Sequence, residues 1–352
     1  ICLNKDVEAK TSTLLEDVIL IHQALPEIDL NEISTQITFL NKTLSAPLII
    51  EAMTGGHPET QKINAYLAEI VEELKLGMGV GSQRAAIEDR SLEYTYSIVR
   101  EKAPKAVIIA NLGASQLAKG YGVREAQKAI DMIKADAIAI HLNAAQEAIQ
   151  PEGDTKFKGV LGKIKELVET LEVPVIVKEV GNGISREVAK KLVEVGVKYI
   201  DVAGLGGTNW VIVEKYRALN RGEKELAEIA DVFSNWGIPT AASIVEVRSI
   251  SKDVTIIASG GIRTGLDIAK AIALGADIAG FALPALKWTI KGNLREKLKQ
   301  VIRELKIAMF LTASKNIGEL KQTRIVIKGT LRDWLTCRRI DINEYLSRRG
   351  RG

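Results

Sequence analysis

Cysteine is nearly absent. Cys2 and Cys337 stand near opposite ends of the 352-residue chain, and no CxxC pair exists. A zinc site or a disulfide framework is therefore not expected, and the usage fits a reducing cytoplasm. Long apolar runs are also missing. None reaches the roughly 18 residues of a membrane span, and no secretory signal opens the chain, so no membrane partner is expected. Nor is there an excess of one charge. With 48 basic and 44 acidic residues the formal net charge is +4, too small to imply nucleic acid or an anionic membrane as partner. The closing RRGRG reads as a solvated terminus rather than as a tail for an anionic partner. The sequence begins at Ile1 without Met, so residues ahead of it are expected.

What is present is a large apolar fraction in short pieces. The chain is 46% hydrophobic and 26% charged, enough for a sizeable core, and its length exceeds the usual single domain unless the fold is a barrel. Eight apolar runs recur: APLIIEAM (46–53), LGMGVGS (76–82), AVIIANLG (106–113), AIAIHLN (137–143), VPVIVKEVGNG (173–183), YIDVAGLGG (199–207), VTIIASGG (254–261) and ADIAGFAL (276–283). Such continuous apolar strands suit a parallel sheet covered on both faces. Between them lie helical patterns. Ile63, Leu67, Ile70, Val71 and Leu74 share one face, as do Val188, Leu192, Val193 and Val195 before Gly196, and Leu266, Ala269, Ile272 and Ala273 before Gly275. Ser185 and Thr264 are placed to cap the latter two helices. Alternation at a period of about 30 residues predicts an α/β fold, one (β/α)8 TIM barrel spanning 1–352. An N-terminal extension (1–45), an insertion after strand 6 (208–253) and a C-terminal helical tail (291–352) complete the expected domain, the tail holding one long helix and a polar end. A doubly wound sheet is the alternative, but the first strand leads into EAMTGGHPET rather than a GxGxxG turn.

In barrels the chemistry sits at the C-terminal strand ends, and here those ends are polar or glycine-rich. Gly260-Gly261-Ile262-Arg263-Thr264 can cradle a phosphate at a helix start, in the last βα loops that serve this purpose in the fold. In GVGSQR, Ser82, Gln83 and Arg84 offer a second anion grip. His141 and Asn143 point the same way by the period of two, which favours ligand contact. Lys178 ends an apolar run, where it meets either an anionic ligand or a neighbouring acid. Glu147 beside Gln146 is either a Mg2+ ligand or part of a solvated helix face. Trp210 and Trp236 are expected to pack within the insertion.

The words EAMTGG, GVGSQR, ANLGASQL, HLNAAQEAIQPEGD, VKEVGNGIS, GLGGTNW, WGIPTAAS and GGIRTGLDIAKAIALGADIAG together resemble the type 2 isopentenyl-diphosphate isomerases, in the same order over nearly the whole chain. The HLN…QE…QPEGD and GGTNW words carry more of the likeness than any glycine motif. The resemblance implies an FMN-dependent barrel that interconverts isopentenyl and dimethylallyl diphosphate, a small-molecule diphosphate substrate, with reduced FMN, Mg2+ and NADPH or another reductant. It also implies a homo-tetramer or homo-octamer. By matched motif, FMN would meet Met53, Thr54, Gly55, Ser82, Asn111, Lys178, Ala203, Thr208, Gly261, Ile262, Arg263, Ala282 and Leu283. Ala203 stands where the family often has a small polar residue. The substrate would meet Ser82, Gln83, Arg84, His141, Asn143 and Gln146; Glu147 would bind the metal, and Gln146 would be the catalytic helper near the reacting carbons. In the family a basic Arg-Lys pair and a His precede the segment matching ICLNKDVEA and help grip the diphosphate; the sequence starts after that point.

The alternative function is an FMN-dependent oxidoreductase of the 2-hydroxy-acid oxidase type. It needs a His base after the sixth strand, where this chain has AGLGGTN. A nucleotide dehydrogenase on this barrel would need a loop Cys, and neither cysteine lies in a βα loop.

Overall fold

Each of the eight apolar runs supplies one short strand buried nearly end to end, as strands covered on both faces must be. The computed structural model describes residues 1–349; beyond Arg349 the basic ending lies outside the described residues. The described residues form twelve strands: β1 (Val18–Leu20), β2 (Ile37–Phe39), β3 (Lys42–Leu44), β4 (Leu48–Ile50), β5 (Gly77–Gly79), β6 (Val107–Gly113), β7 (Ala137–His141), β8 (Val175–Lys178), β9 (Tyr199–Asp201), β10 (Thr255–Ala258), β11 (Ile278–Phe281) and β12 (Ile325–Ile327). Strands β4 to β11 form a closed parallel barrel in chain order, and β11 seals against β4 with Ala279 opposite Leu48 and Phe281 opposite Ile50. The doubly wound alternative is therefore replaced by the (β/α)8 barrel.

Alternation along these strands makes two cores. Ile49, Val107, Ile109, Ala139, Ile176, Ile257 and Ile278 point inward and pack on Phe39, Leu40 and Leu44 of the β2–β3 hairpin, which plugs the N-terminal end of the barrel. The hairpin turns through Leu40 and Asn41, both at positive φ (49° and 60°), the geometry that matches strand twist. Their neighbours Leu48, Ile50, Ile108, Ile138, Ile140, Val177, Ile200 and Ile256 point outward into the larger core beneath the helices. Each fully buried aliphatic side chain contributes about 1.5–3 kcal/mol.

Two of the helical faces differ from the sequence expectation. Ser185 and Thr264 do cap their helices, accepting from the N–H groups of Val188 and Asp267. Yet Val188 is 37% and Leu266 46% exposed. Leu192 on one helix, and Ala269, Ile272 and Ala273 on the other, are buried as expected, joined by Ala189 and Ile268.

One clamp occurs twice at the N-terminal end of the barrel. Arg100 donates to the carbonyls of Ala103, Pro104 and Ala106 and to Asp136, which also takes the N–H of Ile108 and pairs with Lys42. Four strands further on, Arg248 donates to Ser251, Lys252 and Val254 and to Asp277, which takes the N–H of Ile256 and pairs with Lys321.

The additions sit around this frame. Within 208–253 the helix Thr240–Arg248 packs as the barrel's own crossover, while Trp210–Asn220 and Lys224–Val232 are extra. The tail is more structured than a long helix and a polar end. After Leu294–Leu311 come Ile317–Gln322, β12, Gly329–Cys337 and Ile342–Arg349, and β12 pairs antiparallel with β1. Among the described residues no helix is long and apolar enough to cross a membrane.

Candidate active site

The inward parity that fills the barrel with isoleucine continues past the strand ends and there turns polar. Two residues beyond Ile49, Ile109, Ala139, Ile176, Tyr199 and Ile257 stand Glu51, Asn111, His141, Lys178, Asp201 and Ser259. Five of these, Glu51, Asn111, His141, Lys178 and Ser259, line one cavity of about 570 Å3 at the C-terminal mouth. Lys178 lies 3.2 Å from Asp201 and 3.5 Å from Glu51, and its ammonium donates to the Glu179 carbonyl at 3.0 Å. Burial works against its charge, but Asp201 and Glu51 more than offset this and hold Lys178 protonated above its ordinary range. Asp201 accepts from Ser259 Oγ at 2.6 Å and from the N–H of Ala203 at 3.2 Å. Glu179 takes three backbone N–H groups, from Val180, Gly181 and Asn182, yet burial still raises it to about 7.

One wall is built from glycine loops. Gly261 has φ +76°, and a Cβ on Gly207 would lie 2.2 Å from the Gly261 nitrogen, so only glycine lets the 204–208 and 259–263 loops meet. The N–H groups of Gly261 and Ile262 find no acceptor among the described residues, and the helix Leu283–Ile290 begins at the same edge. That is a phosphate-sized set of free donors. Arg263 lines the cavity too, held by Glu8 of the N-terminal segment and by the Ile262 carbonyl. Opposite, Gly55 and Gly56 turn at positive φ because Tyr96 packs on them; a Cβ on Gly55 would sit 2.0 Å from the Tyr96 ring. Thr54 gives its hydroxyl to Asn64.

The other wall is the end of β7 and the short helix Ala144–Ile149. His141 Nδ1 meets Asn111 Oδ1 at 2.7 Å. Burial, with Lys178 and Arg84 nearby, lowers His141 to about 3, so its imidazole is neutral. Asn143 donates to Glu147 at 2.9 Å, and its own Oδ1 is buried without a partner. Glu147 is buried rather than solvated: it also accepts from Ser115 Oγ at 3.1 Å and from the N–H of Asp154 at 2.6 Å. Gln146 donates to Glu214 Oε1 at 3.0 Å, and Arg217 braces the other Glu214 oxygen at 2.7 Å while also pairing with Glu152. Among the described residues no three His, Cys, Asp or Glu side chains cluster as a ready metal cage.

Most of the expected site residues meet here. Met53, Thr54, Gly55, Ser82, Arg84, Asn111, His141, Asn143, Gln146, Glu147, Lys178, Ala203, Thr208, Gly261, Arg263, Ala282 and Leu283 all line the cavity. Two expected residues do not bring their side chains to the cavity. Gln83 is fully buried away from it, donating to the Ala129 carbonyl at 2.8 Å and accepting from the N–H of Asn111 at 3.0 Å, so its side chain ties β6 to the helix Val123–Ile133. Ile262 puts its side chain into the core, leaving only its backbone for a ligand. Trp210 lines the cavity instead of packing solely within the insertion, whereas Trp236 is exposed against Phe233. Glu51, Asp201 and Ser259 also belong to this polar ring, and the period of two points to them; for Glu214 the sequence holds no local signal.

Residues 124–327 match the model of the FMN-dependent dehydrogenase family. A protein named isopentenyl-diphosphate delta-isomerase from Sulfurisphaera tokodaii is 58% identical over all of this chain and 95% of its own length. One of the same name from Ignicoccus hospitalis is 55% identical over 95% of this chain and 93% of its own. Among solved structures, a mandelate oxidase variant carrying a monooxide FMN adduct superposes with a TM-score of 0.62 at 18% identity, covering 91% of this chain and 94% of its own. A lactate oxidase from Pediococcus acidilactici gives 0.61 at 17%, covering 92% and 88%. These distant likenesses establish the fold.

Proposed function

The chain belongs to the isopentenyl-diphosphate delta-isomerases within the FMN-dependent dehydrogenase family, and from that premise we propose that it interconverts isopentenyl and dimethylallyl diphosphate with reduced FMN and Mg2+. The observation that carries this reading is the pairing of walls: a glycine cradle with free N–H donors faces His141, Asn143, Gln146 and Glu147 across one cavity. FMN fits the first wall. Gly261, Ile262 and the start of the helix at Leu283 would hold its phosphate by backbone donors, with Arg263 beside them. Lys178, Met53, Thr54, Gly55, Ser82, Asn111, Ala203, Thr208 and Ala282 would bound its ring.

The second wall suits the diphosphate. Arg84 makes no ion pair among the described residues and stands at the rim with Ser82. The orphaned Asn143 amide oxygen and the Glu147 carboxylate make the polar set that Mg2+ prefers when substrate phosphates complete its shell. A neutral His141, donating through Nδ1 to Asn111, offers Nε2 to the ligand side. Isomerisation adds a proton at the terminal alkene carbon and removes one from C2, so one acid-base group must reach both. Reduced FMN, when bound, supplies that group through N5. Gln146 would orient the hydrocarbon end, its amide held by Glu214. NADPH or another donor would serve to reduce the flavin.

The test is incubation of the full-length protein with isopentenyl diphosphate, Mg2+, FMN and dithionite or NADPH without oxygen. Dimethylallyl diphosphate is the expected product, and its absence with flavin bound and reduced would overturn the proposal. Reduction of the flavin by a 2-hydroxy acid would favour the oxidase, for which the 202–209 loop provides no His.

A further inference from the structure

The floor of the cavity carries one cation and two carboxylates, and the two are not equivalent. Asp201 is fully provided for as an anion, with Lys178 at 3.2 Å, Ser259 Oγ at 2.6 Å and the Ala203 N–H at 3.2 Å. Glu51 has one cationic partner, Lys178 at 3.5 Å; its other close neighbour is the Asp201 carboxylate, and its Oε1 is buried with no hydrogen-bond partner. It has room because Gly280 stands opposite: a Cβ there would lie 2.1 Å from Glu51 Oε1. An ionised carboxylate so placed would be undersolvated and next to a second negative charge.

The groups facing Glu51 can be named element by element. β8 gives Lys178, with Glu179 following it, and Glu179 is met by three backbone N–H groups. β9 gives Asp201 and β10 leads to Ser259. β7 gives His141, neutral for the reasons above, and β6 gives Asn111. β5 and β11 contribute only glycine at this level. Arg84 stands at the rim. One ammonium thus faces an anion already balanced by hydrogen bonds and a second acid that is not.

We propose that Glu51 is carried as a neutral carboxylic acid beside Lys178 and is the proton-holding group that keeps the lysine charge available to an anionic ligand, namely the reduced flavin of the function proposed above. Burial and the charge of Asp201, opposed by Lys178, push Glu51 up to about 8, consistent with this geometry. Reduction, with electrons from an electrode, places two electrons and one proton on the flavin, which gains one negative charge. Where Glu51 is ionised, that charge draws a second proton from solvent onto its carboxylate. Where Glu51 is already protonated, no second proton is taken up there.

Two measurements test this. In the flavin-free protein at pH 7, infrared difference spectra between wild type and Glu51→Gln should show a protonated carboxyl band in the wild type, disappearing as pH rises through about 8. Absence of that band overturns the proposal whether or not FMN binds. In the flavin-loaded protein, the midpoint potential is followed against pH. Above pH about 8 the wild type should fall with a steeper slope, by up to one extra proton per two electrons, and Glu51→Gln should lack that extra steepness. Equal profiles, with flavin bound stoichiometrically in both, would refute the coupling. Failure of the wild type to bind FMN would instead count against the function itself.

Discussion

At the scale of single residues, chemistry is set by what buries each group. His141 is held near pH 3 in the fold but has an ordinary value of 6.5. Above 6.5 both states are neutral there and the residue adds nothing to the pH dependence. Below it the unfolded chain binds a proton that the folded chain refuses, so stability falls with falling pH by at most about 1.4 kcal/mol per pH unit. In urea titrations of the ligand-free protein, His141→Asn should lose stability less steeply than wild type between pH 6.5 and about 4; equal slopes would contradict the assignment. Gln146 is bound on its NH2 side by Glu214, and its amide oxygen lies 3.5 Å from Asn143 Nδ2. Gln146→Ala should cut turnover by at least tenfold while flavin content stays unchanged, and near-normal turnover would remove it from the mechanism. Both residues stand in HLNAAQEA, where the sequence shows polar groups at a strand end. That Glu214 holds Gln146 was not legible, because 68 residues separate the two.

At the scale of elements, the repeated clamp explains how short strands are held. Each of its arginines closes a helix-to-strand loop by donating to three carbonyls and also donates to an aspartate just before the following barrel strand. The Arg248 side chain is 12% exposed, so truncating it leaves Asp277 and several carbonyls undersupplied. Arg248→Met should cost on the order of 3 kcal/mol, the loss seen when one partner of a buried pair is removed, measured as a lower urea midpoint with an unchanged slope. Flavin affinity should be little altered, since the clamp lies at the opposite end of the barrel from the cavity. The strands themselves were readable from apolar runs, and the caps Ser185 and Thr264 from local chemistry. The helical faces were less so: Val188 and Leu266 fit a periodic stripe but are exposed, whereas Ala189 and Ile268, outside it, are buried.

At the scale of the whole molecule, both chain ends close on the barrel. β1 pairs with β12 across more than 300 positions, and Glu246, fully buried, accepts from Arg338 Nε at 2.8 Å, Trp334 Nε1 at 2.9 Å and the Arg186 N–H at 2.7 Å. One carboxylate thus fastens the helix Gly329–Cys337 and its C-cap to two barrel helices. Glu246→Ala should leave three donors unmet and cost on the order of 3 kcal/mol. Hydrogen exchange should then quicken first over 329–349, ahead of the barrel strands; uniform quickening would show that these helices are not a separable layer.

The barrel and its strand order were legible in the sequence, as were the polar strand ends that ring the cavity, because strand and helix periods are local properties. Family resemblance supplied FMN, Mg2+ and the substrate as expectations, and close relatives then placed the chain among the isomerases. Which polar residues face the cavity and which serve as struts depends on packing between elements distant in sequence. Gln83 follows the same strand end as Ser82, yet one packs beneath a neighbouring helix while the other lines the mouth. Only the closed barrel brings Glu51, Lys178 and Asp201 together from three strands. Protonation depends on that distance and burial, which no local pattern contains.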